Sequence, residues 1–126
     1  MGAGAGLRPW ERLRRQAEFR TVFRRGRRTS GRLFLLLVHP NGLAWSRLGM
    51  AVARGFGDAV VRNRARRLIR EGFKRLRGSH PGLDVVVVGR AALRGCRLGV
   101  VERELRRQLD AAAGGRARRA DPARGD

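Results

Sequence analysis

Arg62-Asn63-Arg64-Ala65-Arg66-Arg67-Leu68-Ile69-Arg70-Glu71 sets five arginines within ten residues without interrupting a helical apolar stripe. At about 100° per residue, Val61, Ala65, Leu68, Ile69, Gly72, Phe73 and Leu76 share an arc roughly 140° wide. Asn63, Arg66, Arg67, Arg70, Lys74 and Arg77 fall on the opposite arc. Such a helix packs one face on a core and offers guanidinium forks on the other, and planar guanidinium matches phosphate oxygens two at a time. Asp58 is a good N-cap for it, and the helix is expected to end at Gly78.

Outward from this helix, the pattern predicts an α+β fold. Residues 16–25 read as a first helix with Phe19, Val22 and Phe23 on one face and Gly26 as a left-handed stop. The run 33–38, closed by His39-Pro40-Asn41-Gly42, reads as the first clear strand, with an unbroken apolar pattern suited to burial on both faces. Residues 46–53 alternate and read as a second strand, antiparallel to the first. Leu83-Asp84-Val85-Val86-Val87-Val88 is a β-branched run expected at the centre of the sheet. Residues 98–113 carry Leu98, Val101, Leu105, Leu109 and Ala112 at helical spacing. The order is therefore helix, two to three strands, arginine helix, strand, helix, which predicts helices packed on a small mixed sheet.

The chain has 126 residues and 42% hydrophobic content, which suits one domain with one modest core. Residues 12–113 are expected to form that domain, with 1–11 and 114–126 as disordered basic tails. The net charge of +20 makes a large anionic partner the expectation, because a compact body of that charge repels itself. Of the 30 basic residues only Lys74 is a lysine, a bias that a GC-rich genome explains as well as function does.

Several classes are disfavoured. A single cysteine, Cys96, forms no internal disulfide and suits a reducing compartment. His39 and His80 each precede a proline with no second ligand at metal spacing. The longest apolar run is far shorter than a membrane span, and with no secretory segment the expected location is the cytoplasm. Metal-dependent nuclease chemistry requires clustered carboxylates, and the ten acids are scattered singly, with Glu102 and Glu104 on different faces of one helix. A membrane-surface or calmodulin-target helix favours several large aromatics on its apolar face, and here only Phe73 is present. A merely solvated cationic face is disfavoured by self-repulsion, since only Glu71 offsets the helix's charge.

Nucleic acid remains. If the surface neutralises about 6 to 10 phosphates, affinity should fall roughly 10³- to 10⁵-fold between 50 and 200 mM salt. Phe19 and Phe23 lie one turn apart among Arg20, Arg24 and Arg25, a pattern that suits base stacking and so favours RNA. The same spacing suits two core phenylalanines, and periodicity does not separate the two readings.

The segment Arg47-Leu48-Gly49-Met50-Ala51-Val52-Ala53-Arg54, followed by residues 57–71, resembles the signature of the bacterial ribonuclease P protein component. The run Ala59-Val60-Val61-Arg62-Asn63-Arg64-Ala65-Arg66-Arg67 carries the family's Ala-Val-x-Arg-Asn-Arg-x-basic-Arg hallmark. Phe19-Arg20-Thr21-Val22-Phe23-Arg24-Arg25-Gly26 resembles its first helix and Asp84-Val85-Val86-Val87-Val88 its last strand, so the resemblance covers roughly residues 12–109. It implies a ribosomal-protein-S5-like α+β sandwich in which the arginine helix follows the early strands through an uncommon left-handed crossover. It implies further that Arg62, Asn63, Arg64, Arg66, Arg67 and Arg70 contact the catalytic ribonuclease P RNA or substrate near the cleavage site. Phe19, Phe23, Arg20, Arg32 and Arg54 would serve a cleft for the single-stranded 5′ leader of precursor tRNA. No catalytic or metal-ligating residue of the chain is implied. Magnesium is expected on the RNA subunit, which would perform the hydrolysis, and neither a membrane nor a protein partner is expected. An RNA-binding or ribosome-associated protein without a processing role is the alternative. Two departures stand out: Ala53-Arg54-Gly55 replaces a frequent Ser-Lys-Lys step, lowering the expected leader affinity, and Leu37 occupies a first-strand position where relatives can place an aromatic.

Overall fold

A computed structural model describes residues 7–113. Helix α1 (Gln16–Arg25) leads into strands β1 (Arg27–Ser30), β2 (Phe34–Pro40) and β3 (Arg47–Ala51). Helix α2 (Ala59–Leu76), strand β4 (Leu83–Gly89) and helix α3 (Leu98–Ala113) follow. The four strands form one mixed sheet in the order β1-β2-β4-β3, antiparallel except for the parallel β3–β4 pair that α2 connects.

Side-chain alternation assigns the two faces. Phe34, Leu36, Val38, Leu48, Val85 and Val87 point into the main core, where Ala65, Ile69 and Phe73 of α2 and Val101, Leu105 and Leu109 of α3 meet them. The other face carries Leu37 and Val86, buried beneath α1 with Leu13 and Val22. The sheet therefore lies between α1 on one side and α2 with α3 on the other. All seven residues of the expected α2 stripe face inward: Ala65, Ile69, Gly72, Phe73 and Leu76 are buried, and Val61 and Leu68 pack against the core. The Asp58 carboxylate accepts from Val61 N at 3.0 Å, which satisfies one of the donors left open at the helix start. Beyond Leu76 the chain tightens into a 3-10 turn, Arg77–Ser79, that contains Gly78.

Several features differ from the sequence-based expectation. Strand β1 is the third of the expected two to three early strands, but no pattern marks its place, because Arg27-Arg28-Thr29-Ser30 has no apolar residue. Its side-chain partners come from the far end of the chain: Thr29 Oγ1 donates to Gln108 Oε1 at 2.6 Å and an Arg27 guanidinium donates to Ala112 O at 3.1 Å. Gln108 is fully buried, and its amide also donates to Phe34 O at 3.0 Å. β3 runs antiparallel to β2 in direction, yet β4 separates them, since the β-branched run takes the central place. Gly26 is extended, with φ −70° and ψ 152°, so it is no left-handed stop. Its lack of a side chain is needed because a Cβ there would collide with Val22 O. The ordered body also begins earlier than residue 12: Leu7 is 4% exposed in the main core and Pro9–Glu11 form a 3-10 turn. Residues 1–6 and the expected tail at 114–126 lie outside the described residues.

Candidate nucleic-acid interface

Strand register turns the α1 side of the sheet into three cross-strand rows. His39, Asp84 and Arg47 form one end row, Arg28, Leu37, Val86 and Gly49 the middle row, and Ser30, Leu35, Val88 and Ala51 the other end row. α1 covers the first two. Leu37 and Val86 are fully buried, whereas Leu35 and Val88 are only partly covered. Ser30 apart, the last row is thus a partly open apolar strip beside α1.

Phe19 borders that strip. Its ring rests against the backbone of Gly49, where a Cβ would lie 2.5 Å from Phe19 Cε1 and 2.7 Å from Cζ. Phe19 is half-buried and Phe23, one turn on, is 41% exposed. Gln16, Phe19, Arg20 and Phe23 line an open hollow of about 480 Å³. Neither ring is sealed in the core, so the aromatic face of α1 is accessible as a stacking surface.

An ionic clamp holds α1 in this position. Arg47 donates from Nε and Nη2 to the two Asp84 oxygens, each at 2.8 Å, and from Nη1 to Glu18 Oε2 at 3.0 Å. Glu18 also accepts from the backbone N–H groups of Arg14 and Arg15 at 3.0 and 3.1 Å. Burial works against its charge, but these amides and the Arg47 guanidinium hold the Glu18 carboxyl below its ordinary pKa. The Asp84 hydrogen bond, partly opposed by burial, raises that of Arg47. The residue next to Glu18 is Phe19, so the clamp also sets the aromatic wall.

The six polar residues expected on the arginine helix do not share one face. Asn63, Arg66 and Arg67 lie on the outer arc, with Arg66 Nη1 donating to Asn63 Oδ1 at 3.2 Å. Arg62 folds back to donate to Gly57 O at 2.7 Å, and Arg64 leans the other way, 3.4 Å from Cys96 O. Arg70 turns toward α1. With Arg12, Phe19, Gly49 and Met50 it lines a hollow of about 180 Å³ at the β3 edge. Burial, reinforced by the charges of Arg12, Arg66 and Arg67 and opposed by Glu71, lowers the Arg70 pKa. Cations crowded this closely favour an anion among them.

Arg32, in the β1–β2 connection, and Arg54, just after β3, are exposed at the end of the sheet where the open row lies. Two further cations were not singled out from the sequence. Arg90 follows β4 at the same end and donates to Ser30 Oγ at 2.8 Å, while Arg12 stands beside Arg70. Both are distant in sequence from the residues they join, so no local pattern marks them. Gly55 is exposed, consistent with a missing cationic contact there, and the burial of Leu37 removes it from any stacking role. Among the described residues no three His, Cys, Asp or Glu side chains gather as metal ligands, and no helix is long and apolar enough to cross a membrane.

The family model described as Ribonuclease P matches residues 7–113. The ribonuclease P protein component of Thermotoga petrophila is 43% identical over 84 residues, 66% of this chain and 72% of the relative. That of Brevibacillus brevis is 38% identical over 96 residues, 75% and 76% of the two chains. The solved structure of the RNase P protein from Thermotoga maritima superposes with a TM-score of 0.70 at 35% identity, covering 77% of this chain and 93% of that one.

Proposed function

The chain belongs to the ribonuclease P protein component family, and on that premise we propose that it serves as the accessory protein subunit of a ribonuclease P that removes the 5′ leader from precursor tRNA in the cytoplasm. The arginine face of α2 docks on the catalytic RNA or holds substrate close to the cleavage site. The cleft beside α1 receives the single-stranded leader.

The observation that carries this reading is the hollow shared by Arg70 and Phe19. It makes the cationic helix and the aromatic wall one continuous surface, on which phosphates meet guanidinium groups while unpaired bases reach an aromatic face. Duplex RNA hides its base faces, so a surface of this kind prefers a single strand.

The protein supplies no nucleophile or general base in this scheme. Its arginines relieve repulsion between two polyanions, and the cleft keeps the leader in register. In this scheme the RNA holds the magnesium and performs the hydrolysis.

The test is differential binding. Adding the chain to a bacterial ribonuclease P RNA should tighten precursor tRNA much more than mature tRNA, and Phe19→Ala should remove most of that difference. Equal effects on both substrates would contradict the leader assignment. A general RNA-binding role would instead show as undiminished binding to unrelated RNAs with no effect on leader removal.

A further inference from the structure

We propose that Trp10 and Trp45 form a second stacking surface, which takes the distal part of the precursor's leader after it leaves the Phe19–Phe23 cleft. This rests on the leader reading above. The two indoles lie outside the site described so far, on the 3-10 turn before α1 and in the β2–β3 loop. They are 55% and 39% exposed, among the most exposed large hydrophobic side chains of the described residues.

Their exposure is built in. Trp45 Nε1 donates to Trp10 O at 2.9 Å, Asn41 Nδ2 donates to Trp45 O at 3.2 Å, and the same amide donates to Asp84 Oδ1 at 2.9 Å. The indole N–H and the loop backbone are thereby satisfied while ring surface stays open to solvent. An anchored aromatic costs little entropy when a base stacks on it.

Charge identifies the occupant. Trp10, Arg12, Arg14, Arg15, Leu43 and Trp45 line a hollow of about 410 Å³, and the Arg8 guanidinium lies 5.7 Å from the Trp10 ring centroid. Glu18 and Arg47 line the same hollow as an ion pair, Asp84 is held by Arg47 as well, and Glu11 pairs with Arg77. Among the described residues no ion pair engages Arg8, Arg12 or Arg14. Aromatic faces ringed by unneutralised guanidinium suit unpaired nucleotides.

Continuity identifies the source. Phe19 lines both the cleft hollow and the Arg70 hollow, and Arg12 lines both the Arg70 hollow and the tryptophan hollow. The shared residues set the three hollows side by side around the start of α1, the order in which a strand leaving Phe23 and Phe19 would reach Trp10.

The chain has two tryptophans and no tyrosine, so its long-wavelength emission reports this surface alone. The full chain, assembled on a bacterial ribonuclease P RNA, is titrated with precursor tRNA bearing a long unstructured leader, the same precursor with its leader trimmed to the cleft, and mature tRNA. We expect saturable quenching by the long leader only. Trp10→Leu should weaken long-leader precursor about tenfold and leave the trimmed precursor unchanged. Quenching on assembly alone would give the surface to the catalytic RNA and overturn the proposal. So would equal quenching by inorganic polyphosphate, which carries charge without bases, or a long leader that binds with unaltered emission. A Phe19→Ala variant separates the two levels of the argument. If it still distinguishes precursor from mature tRNA as the unaltered chain does, the leader reading itself fails, whereas a loss there with silent tryptophans overturns this inference alone.

Discussion

Gly49 lies directly beneath Phe19, so close that a Cβ on the strand would stand 2.5 Å from the ring. The aromatic wall of the cleft thus depends on the absence of a side chain on β3. Gly49→Ala forces the ring outward or the strand inward, and overpacking of this kind costs about 1–3 kcal/mol. The variant should unfold at lower denaturant and lose affinity for precursor tRNA while its affinity for mature tRNA changes little. A denaturant titration paired with the two binding curves checks it, and unchanged precursor affinity would mean that the ring position is irrelevant to binding.

Glu18 is a positioning residue. Glu18→Gln retains the shape and some hydrogen bonding but loses the charge that holds Arg47, with an expected cost of about 1–2 kcal/mol. The folded-state pKa lies below the ordinary value of 4.5, so this stabilisation is complete above that value and is lost as pH falls through the lower folded one. Unfolding free energies measured from neutral to acidic pH should therefore differ most between the two proteins at neutral pH and converge at the acid end. A constant offset would contradict the electrostatic origin of the clamp.

Arg66 and Arg67 present charge from the outer arc of α2. If each meets one RNA phosphate, Arg66→Ala and Arg67→Ala should each reduce the slope of log affinity against log salt by about 0.7 to 0.9. Arg64, turned toward Cys96 O, should change the slope less. Binding to ribonuclease P RNA across a salt series reads this directly, and identical slopes for all three variants would remove the distinction between outer and flanking arginines.

Asp58→Ala removes the side-chain acceptor for Val61 N and should cost about 0.5–2 kcal/mol. Because the first two turns of α2 carry Arg62 and Asn63, thermal unfolding should shift together with RNA affinity. Asp58→Ser, which keeps a capping oxygen, should recover much of the stability.

Much of this architecture was legible in the sequence because its signals are local. The α2 stripe has a 3.6-residue period and a capping aspartate, β4 is a β-branched run, and α3 spans residues 98–113 as its spacing predicted. What escaped was carried by long-range partners. β1 holds four polar residues that pair with β2 and whose side chains meet α3, through Gln108 and Ala112 O. The same limit applies to the site. Periodicity shows that Phe19 and Phe23 share a helix face, but whether that face is sealed depends on how far α1 extends over the sheet, and Leu35 and Val88 beside it are only partly buried. Arg12 joins Arg70 only because the segment before α1 lies along β3, where Arg12 bridges to Leu48.

The central claim is that this chain steadies two RNAs while the RNA cuts. The most direct measurement is leader removal from precursor tRNA at low magnesium by a bacterial ribonuclease P RNA, with and without the chain, alongside the chain alone. The account predicts little cleavage by RNA alone, restored cleavage with the chain present, and none from the chain by itself. Cleavage by the purified chain, or no gain when it is added to the RNA, would contradict it.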